Sequence, residues 1–135
     1  MNKLLVAYLA CALVMIALDV LWIGVLAKSL YQQGIGHLMT ESPRLGVAFL
    51  FYAVYAAGLV FFVVADGPSD AWRSTLLRGA LFGAVAYATY DLSNLATLRA
   101  WPLSLSLIDI AWGAFASSVA AAGGKAALNW VAKGA

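Results

Sequence analysis

Residues 79–98, GALFGAVAYATYDLSNLATL, decide the fold of this chain. The first twelve of them carry no charge, and the segment has the length of about 20 mostly apolar residues that a helix needs to cross a bilayer. Its apolar residues do not alternate with polar ones, as the strands of a membrane β-barrel would require. The segment therefore predicts a transmembrane helix, and Asp91 is a carboxyl group placed inside it.

The composition of the whole chain agrees with a membrane protein. Of the 135 residues, 64% are hydrophobic and only 10% are charged, whereas soluble globular domains carry about 25% charged residues. The net charge of +2 forms no basic stripe, so nucleic-acid binding is not expected. The chain is too short for two membrane domains, and we expect residues 1–135 to form one all-α integral membrane domain.

Three further stretches predict membrane helices, which gives spans at about residues 4–27, 46–65, 79–98 and 103–123. All three prolines, Pro43, Pro68 and Pro102, fall between these spans, where helix-breaking residues belong. The sequence DGPSD at 66–70 is typical of a turn. The longer connection at 28–44 has room for a short interfacial helix, and residues 125–135 either extend the fourth helix or lie on the surface. The prediction is a four-transmembrane-helix bundle.

The positions of Lys and Arg predict the orientation, because cytoplasmic loops carry an excess of both. An inside N-terminus and C-terminus places five basic residues inside: Lys3, Arg73, Arg78, Lys125 and Lys133. It leaves three outside: Lys28, Arg44 and Arg99. The distribution favours the N-in/C-in topology.

Three of the six acidic residues, Asp19, Asp91 and Asp109, lie inside predicted spans. A charge at the centre of a membrane helix costs about 2.5–3.5 kcal/mol on insertion scales, so such residues are usually functional. With a rise of about 1.5 Å per residue, each aspartate lies about 4–6 Å from the middle of its span, always toward the outer face. We therefore expect one polar site. No Lys or Arg lies at that depth, so some of these carboxyls are expected to be protonated.

Two segments share a pattern around this site: LDVLWIG at 18–24 and IDIAWGA at 108–114 both contain D-x-x-W followed by Gly. In a four-span bundle these helices are antiparallel, as in an inverted repeat with a site between its halves. The alternative is that each Trp donates a local hydrogen bond to the Asp one turn before it, without any repeat.

Helical spacing adds aromatic and polar residues to the predicted site. The second span is expected to contribute Tyr52 and Tyr55. The predicted ligand- or proton-binding set is Asp19, Trp22, Tyr87, Tyr90, Asp91, Asn94, Asp109 and Trp112. No metal or other cofactor is expected, because the single histidine, His37, lies in a loop without a zinc motif. If the protein is an enzyme, a divalent cation bridging the three aspartates stays open, since hard cations prefer oxygen ligands.

Small residues at four-residue spacing predict close helix contacts. They occur at Gly79 and Gly83 on the third span and at Gly113, Ser117 and Ala121 on the fourth. The partner of each small-residue face is either the other helix of the same chain or a second copy.

The segments LDVLWIGV at 18–25, YATYDLSNLATLRAWPL at 87–103 and DIAWG at 109–113 together resemble an uncharacterised family of small bacterial four-span membrane proteins, classed as a domain of unknown function. The resemblance covers nearly the whole chain. It implies a multi-pass protein of the bacterial inner membrane and brings no established activity. Its association with gene neighbourhoods for fatty-acyl modification implies a connection with lipids.

Three functions remain open at this point. The first is proton- or cation-coupled transport, or channel-like binding, of a small or amphipathic ligand; a homodimer is then expected, since four helices barely enclose a path. The second is an intramembrane enzyme or binding protein for a lipid or fatty-acyl substrate, and the third is a non-catalytic accessory subunit. A path to both membrane faces favours the first, a lateral groove open to lipid the second, and a fully packed polar cluster the third.

Overall fold

The computed structural model describes residues 2–65 and 71–134, and these residues form helices without any strand. The turn predicted at 66–70, with Asp66, Pro68 and Asp70, lies outside the described residues. Five α-helices follow in order, two of them ending in a π-helical turn: α1 Lys3–Leu21 with Trp22–Leu26, α2 Lys28–Ile35, α3 Leu45–Leu59 with Val60–Val64, α4 Trp72–Thr97 and α5 Leu103–Gly134.

Three of these helices are long and apolar enough to cross a membrane: Lys3–Leu26, Leu45–Val64 and Leu103–Gly134. Helix α4 has 26 residues but is not among them, because Arg73, Arg78, Asp91 and Asn94 lower its hydrophobicity. It begins at Trp72, ahead of the apolar segment that starts at Gly79. Helix α5 continues to Gly134, so residues 125–134 extend the helix that contains the predicted span 103–123.

Helices α4 and α5 touch along their small residues. A Cβ added at Gly83 would lie 2.1 Å from the carbonyl oxygen of Gly113, and one added at Gly79 would lie 3.0 Å from the Ser118 Cα. The two backbones are therefore in direct contact, and hydrogen atoms are the only side chains that fit between them. The small-residue face of α4 therefore packs against that of α5 in the same chain, which answers the question of their partner that the sequence left open.

Helix α1 packs on α5 through a stripe of one residue per turn: Ala7, Cys11, Met15 and Asp19 are buried. At the terminal end of the bundle, where Ala7, Val64 and Gly124 meet, the packing is tight, and a Cβ at Gly124 would lie 2.4 Å from the Cys11 Sγ. Among the described residues, the helices at this end are therefore in close contact.

The opposite end of the bundle, called the α2 end, is built differently. The chain turns at Ala27, and the short helix α2 folds back over α5, where Ile35 packs with Trp101 and Leu105. The first residues of α3, 45–51, are all exposed, because no other helix covers them. Among the described residues, the bundle is therefore tightly packed at the terminal end and looser at the α2 end.

Candidate functional site

A cavity of about 440 Å³ lies toward the α2 end, and all five helices contribute to its wall. It is lined by Asp19, Trp22, Ile23, Tyr31, Ala48, Phe51, Tyr52, Tyr55, Ala86, Tyr87, Tyr90, Asp109 and Trp112. Two carboxyl groups and eight aromatic rings thus face one space in a bundle whose other buried surfaces are mostly aliphatic.

Asp19 is held by two donors from different helices. The Tyr52 hydroxyl donates to its Oδ2 at 2.7 Å, and the Trp112 Nε1 donates to its Oδ1 at 3.1 Å. The carboxyl is 6% exposed. Because each oxygen accepts a hydrogen bond, the position of Asp19 is fixed by α3 and α5 as well as by its own helix.

Asp109 is held from α2. The Tyr31 hydroxyl donates to the Asp109 Oδ1 and accepts a hydrogen bond from the Trp22 Nε1 at 3.1 Å. Burial raises the pKa of Tyr31 above its ordinary value, and the hydrogen bond to the Asp109 carboxyl adds to that effect. The hydroxyl therefore keeps its proton and acts as the donor that links Trp22 to Asp109.

The two D-x-x-W segments interlock across the bundle. The Trp22 and Trp112 rings stack with centroids 4.4 Å apart and planes 5° from parallel. The Trp112 indole donates to Asp19 of the other helix, and the Trp22 indole reaches Asp109 through Tyr31. Each Trp thus serves the aspartate of the opposite segment, so the local Asp–Trp hydrogen bond considered as the alternative is not the arrangement observed.

Asp91 lies behind the cavity wall and is 0% exposed. No hydrogen-bond donor from residues 2–65 or 71–134 reaches either of its oxygens. The polar group within hydrogen-bonding reach is the carboxyl of Asp109, which in turn interacts electrostatically with Asp19. The three aspartates form a connected row from α4 through α5 to α1.

The other predicted residues of α4 differ in position. The Tyr87 ring lies on Gly113, where an added Cβ would approach it to 2.2 Å, and meets Tyr55 edge to face. Tyr90 lines the cavity but is 51% exposed, with its ring edge-on to Trp101. Asn94 is half-buried and does not line the cavity.

Sequence reasoning missed Tyr31. It lies in a segment predicted only as a connection with a short interfacial helix, and no periodic pattern signals that this segment folds back into the site. Tyr52 and Tyr55 were expected from α3, and both line the cavity; the Tyr55 hydroxyl is 2.5 Å from the Ser117 Oγ.

The cavity reaches the surface at its exposed lining residues. Phe51 of α3 and Tyr90 of α4 are 44% and 51% exposed, and Ile23, in the π-helical turn after α1, is 46% exposed. The line along which α3 and α4 face each other is called the seam. Toward the terminal end the seam closes, because the Phe82 ring packs against Gly58 and Phe62. A shallow groove of about 410 Å³ continues along the outside of this seam and shares Ala86 with the cavity. The groove is lined by Phe62, Val63, Arg78, Leu81, Phe82, Val85 and Ala86.

The described residues contain no cluster of three His, Cys, Asp or Glu side chains that could hold a metal ion. The site consists of carboxyl, hydroxyl and indole groups, which can bind a polar or charged group and exchange protons with it.

Comparison with known proteins places the chain in a family. Residues 4–126 match the family model described as "Predicted membrane protein (DUF2177)", a family of unknown function. Neither a comparison with curated proteins nor one with solved structures found a match. The family match covers most of the chain and agrees with its long apolar helices. The chain belongs to the DUF2177 family of predicted membrane proteins.

Proposed function

We propose that this protein binds an amphipathic cation within the membrane. The positive group would lie between Asp19 and Asp109, and the apolar part would follow the seam between α3 and α4. The observation that carries the proposal is the cavity wall, which contains two carboxyl groups and eight aromatic rings but, among the described residues, no Lys or Arg.

The charges of the wall favour a cation over an anion. A carboxylate in a site of low dielectric constant attracts a positive group strongly, and the faces of Trp and Tyr rings add a cation–π attraction of about 0.5–2 kcal/mol. The carboxylate of a fatty acid would instead meet like charges and no basic partner. A neutral lipid could enter but would gain neither attraction.

The shape of the site supports an amphipathic ligand. Ligand pockets usually measure about 300–1,000 Å³ and are mainly apolar with a few polar groups, which describes this cavity of about 440 Å³. The adjoining groove offers an apolar surface made of Phe62, Leu81, Phe82 and Val85. A ligand with a compact charged head and an apolar tail would use both spaces.

We further propose that α4 also crosses the membrane, which gives four spans, and that both termini face the cytoplasm of a bacterial inner membrane. At about 1.5 Å per residue, the 26 residues of α4 measure about 39 Å, and α4 packs along α5 by direct backbone contact. The cavity then lies toward the outer leaflet. Proton- or cation-coupled transport would additionally require the packed terminal end to open, and a second copy of the chain would be expected to help line the path.

The experiment compares two probe ions of matched size and opposite charge, tetraphenylphosphonium and tetraphenylborate. Binding to the purified protein in zwitterionic nanodiscs is measured by calorimetry and by quenching of tryptophan fluorescence. We expect saturable binding of the phosphonium ion only, weakened at least tenfold by Asp19→Asn or Asp109→Asn. Glu41→Gln, which removes an exposed loop carboxyl, is the control and should bind as the parent does. Equal binding of both ions, or no effect of the two aspartate changes, would refute the proposal.

A second candidate is an intramembrane enzyme or binding protein for a lipid or fatty-acyl substrate, and the exposed cavity residues of α3 and α4 favour it. Such a protein should retain one lipid class through purification, and mass spectrometry of the extracted lipids would detect it. Enrichment of a single anionic or neutral acyl lipid, lost in Phe51→Trp, would favour this candidate over the cation site. The accessory-subunit alternative receives less support, because it predicts a fully packed cluster without a cavity.

A further inference from the structure

We infer that Asp91 and Asp109 form a carboxyl pair that holds one shared proton behind the cavity, and that Asp19 is not part of this pair. The three aspartates would then have separate tasks. Asp19 and the cavity side of Asp109 would face a ligand, while Asp91 would store a proton that no ligand touches.

The first argument is the lack of any donor at Asp91. Its side chain is 0% exposed, and neither oxygen accepts a hydrogen bond from the described residues. An ionised carboxylate in such a place loses its hydration without compensation, which is very unfavourable. The group within hydrogen-bonding reach is the Asp109 carboxyl, and two carboxylates contain no hydrogen with which to form that bond. A single proton held between the two carboxyl groups provides the hydrogen for that bond.

The second argument is the charge around the pair. Asp109 faces Asp91 from α5, Tyr31 faces it from α2, Tyr90 lies one position before it on α4, and Asp19 lies beyond Asp109 on α1. Tyr31 is a neutral donor, and the other carboxyl that faces the pair among the described residues, that of Asp19, brings no positive charge. No ion pair with a Lys or Arg side chain compensates the pair within residues 2–65 and 71–134. A shared proton removes one of two adjacent negative charges, as in the carboxyl dyads of other proteins.

Asp19 provides the contrast. Each of its oxygens accepts a hydrogen bond, one from Tyr52 and one from Trp112, and such bonds stabilise the ionised form. Asp19 thus has two donors for its carboxyl oxygens, whereas Asp91 has none among the described residues.

The pair suggests how the site would respond to a bound cation, and this step rests on the proposed function. A cation that settles against the cavity side of Asp109 stabilises the ionised form of that carboxyl. The shared proton would then lie wholly on Asp91, whose buried oxygens have no other donor among the described residues. No proton leaves the site, so the net charge of the site rises by one when the cation binds.

The proton itself is tested without any ligand. Infrared spectroscopy of the protein in nanodiscs at neutral pH, with aspartate labelled by ¹³C at the side-chain carboxyl, should show a protonated Asp carbonyl band that shifts in D₂O. Asp91→Asn and Asp109→Asn should each remove this band, and Asp19→Asn should leave it. Asp91→Asn is nearly isosteric, and its new amide can donate to Asp109, so the fold should survive. Absence of the band in the unmodified protein, its persistence in Asp91→Asn, or its loss in Asp19→Asn would overturn the inference.

This step is tested by adding tetraphenylphosphonium to weakly buffered nanodiscs that contain a pH-sensitive dye. We expect no proton release on binding to the unmodified protein, and the protonated Asp band should remain when the cation is bound. Release of about one proton per bound cation, or loss of the band on binding, would overturn this step. If the phosphonium ion does not bind while the infrared band is present, the proposed ligand is wrong and the proton pair stands.

Discussion

Replacing Gly83 with alanine tests the contact that holds α4 against α5. The new Cβ would lie 2.1 Å from the Gly113 carbonyl oxygen, whereas Cβ atoms essentially never come closer than 3.0 Å to another heavy atom. The difference, about 0.9 Å, must be taken up by separating the two backbones, because the obstacle is a main-chain oxygen and cannot rotate away. Overpacking of this kind typically costs about 1–3 kcal/mol, so we expect unfolding at a clearly lower concentration of denaturing detergent.

The assay is unfolding of the purified protein in mild detergent by increasing dodecyl sulfate, followed by circular dichroism. The matched control is Gly46→Ala in α3, where an added Cβ meets nothing within 4 Å. That change should leave stability the same or raise it by about 0.5–1 kcal/mol, because alanine favours a helix over glycine. If Gly83→Ala is as stable as Gly46→Ala, the close contact between α4 and α5 does not exist as described.

Three shorter predictions concern the site and one turn. Trp112→Phe keeps an aromatic ring but deletes the N–H donated to Asp19, so the free energy of unfolding should fall by about 1–3 kcal/mol. Trp130→Phe, at a residue that is 75% exposed, should have no effect in the same unfolding assay. Equal effects of the two changes would contradict the argument. Tyr31→Phe removes the link between α1 and α5, so amide hydrogen exchange measured by mass spectrometry should accelerate across α2 but not in the terminal half of α5. Ala100→Gly should raise the thermal unfolding midpoint, because Ala100 has φ of 58° and a left-handed conformation costs a non-glycine residue about 1–2 kcal/mol; a lower midpoint would show that the turn is not strained.

That Asp19 and Asp109 line one cavity was predictable, because the rise per residue of a helix determines how deep each carboxyl lies along its span. Asp19 and Asp109 lie at similar distances from the ends of their apolar runs, so any antiparallel packing of those runs brings them to one level. Helical spacing likewise placed Tyr87 on the same side as Gly83, and Tyr87 lines the cavity. These features depend only on rise and rotation along each helix.

Features that depend on how helices meet could not be predicted. Tyr31 enters the site because α2 folds back after Ala27, and a sequence without periodicity does not reveal such a turn. Asn94 follows the same helical spacing as Tyr87, yet Tyr87 lines the cavity and Asn94 does not. The start of α4 at Trp72 was hidden because hydrophobicity marks the part of a helix within the membrane, whereas a helix with polar residues such as Arg73 can begin earlier.

The exposed residues at the edge of the cavity have a consequence for how the affinity of a ligand entering from the bilayer would be measured. A site reached from the side samples the concentration of its ligand in the lipid, not in water. An amphipathic molecule enriched about a thousandfold in the bilayer gains about 4 kcal/mol of apparent binding free energy before it touches the protein. Partitioning into the bilayer would then favour ligands with an apolar tail, and the protein would need to distinguish only ligands with a positive head from those with a neutral or negative one. Adding more lipid at a fixed amount of ligand should therefore weaken the apparent affinity, although no contact in the site has changed.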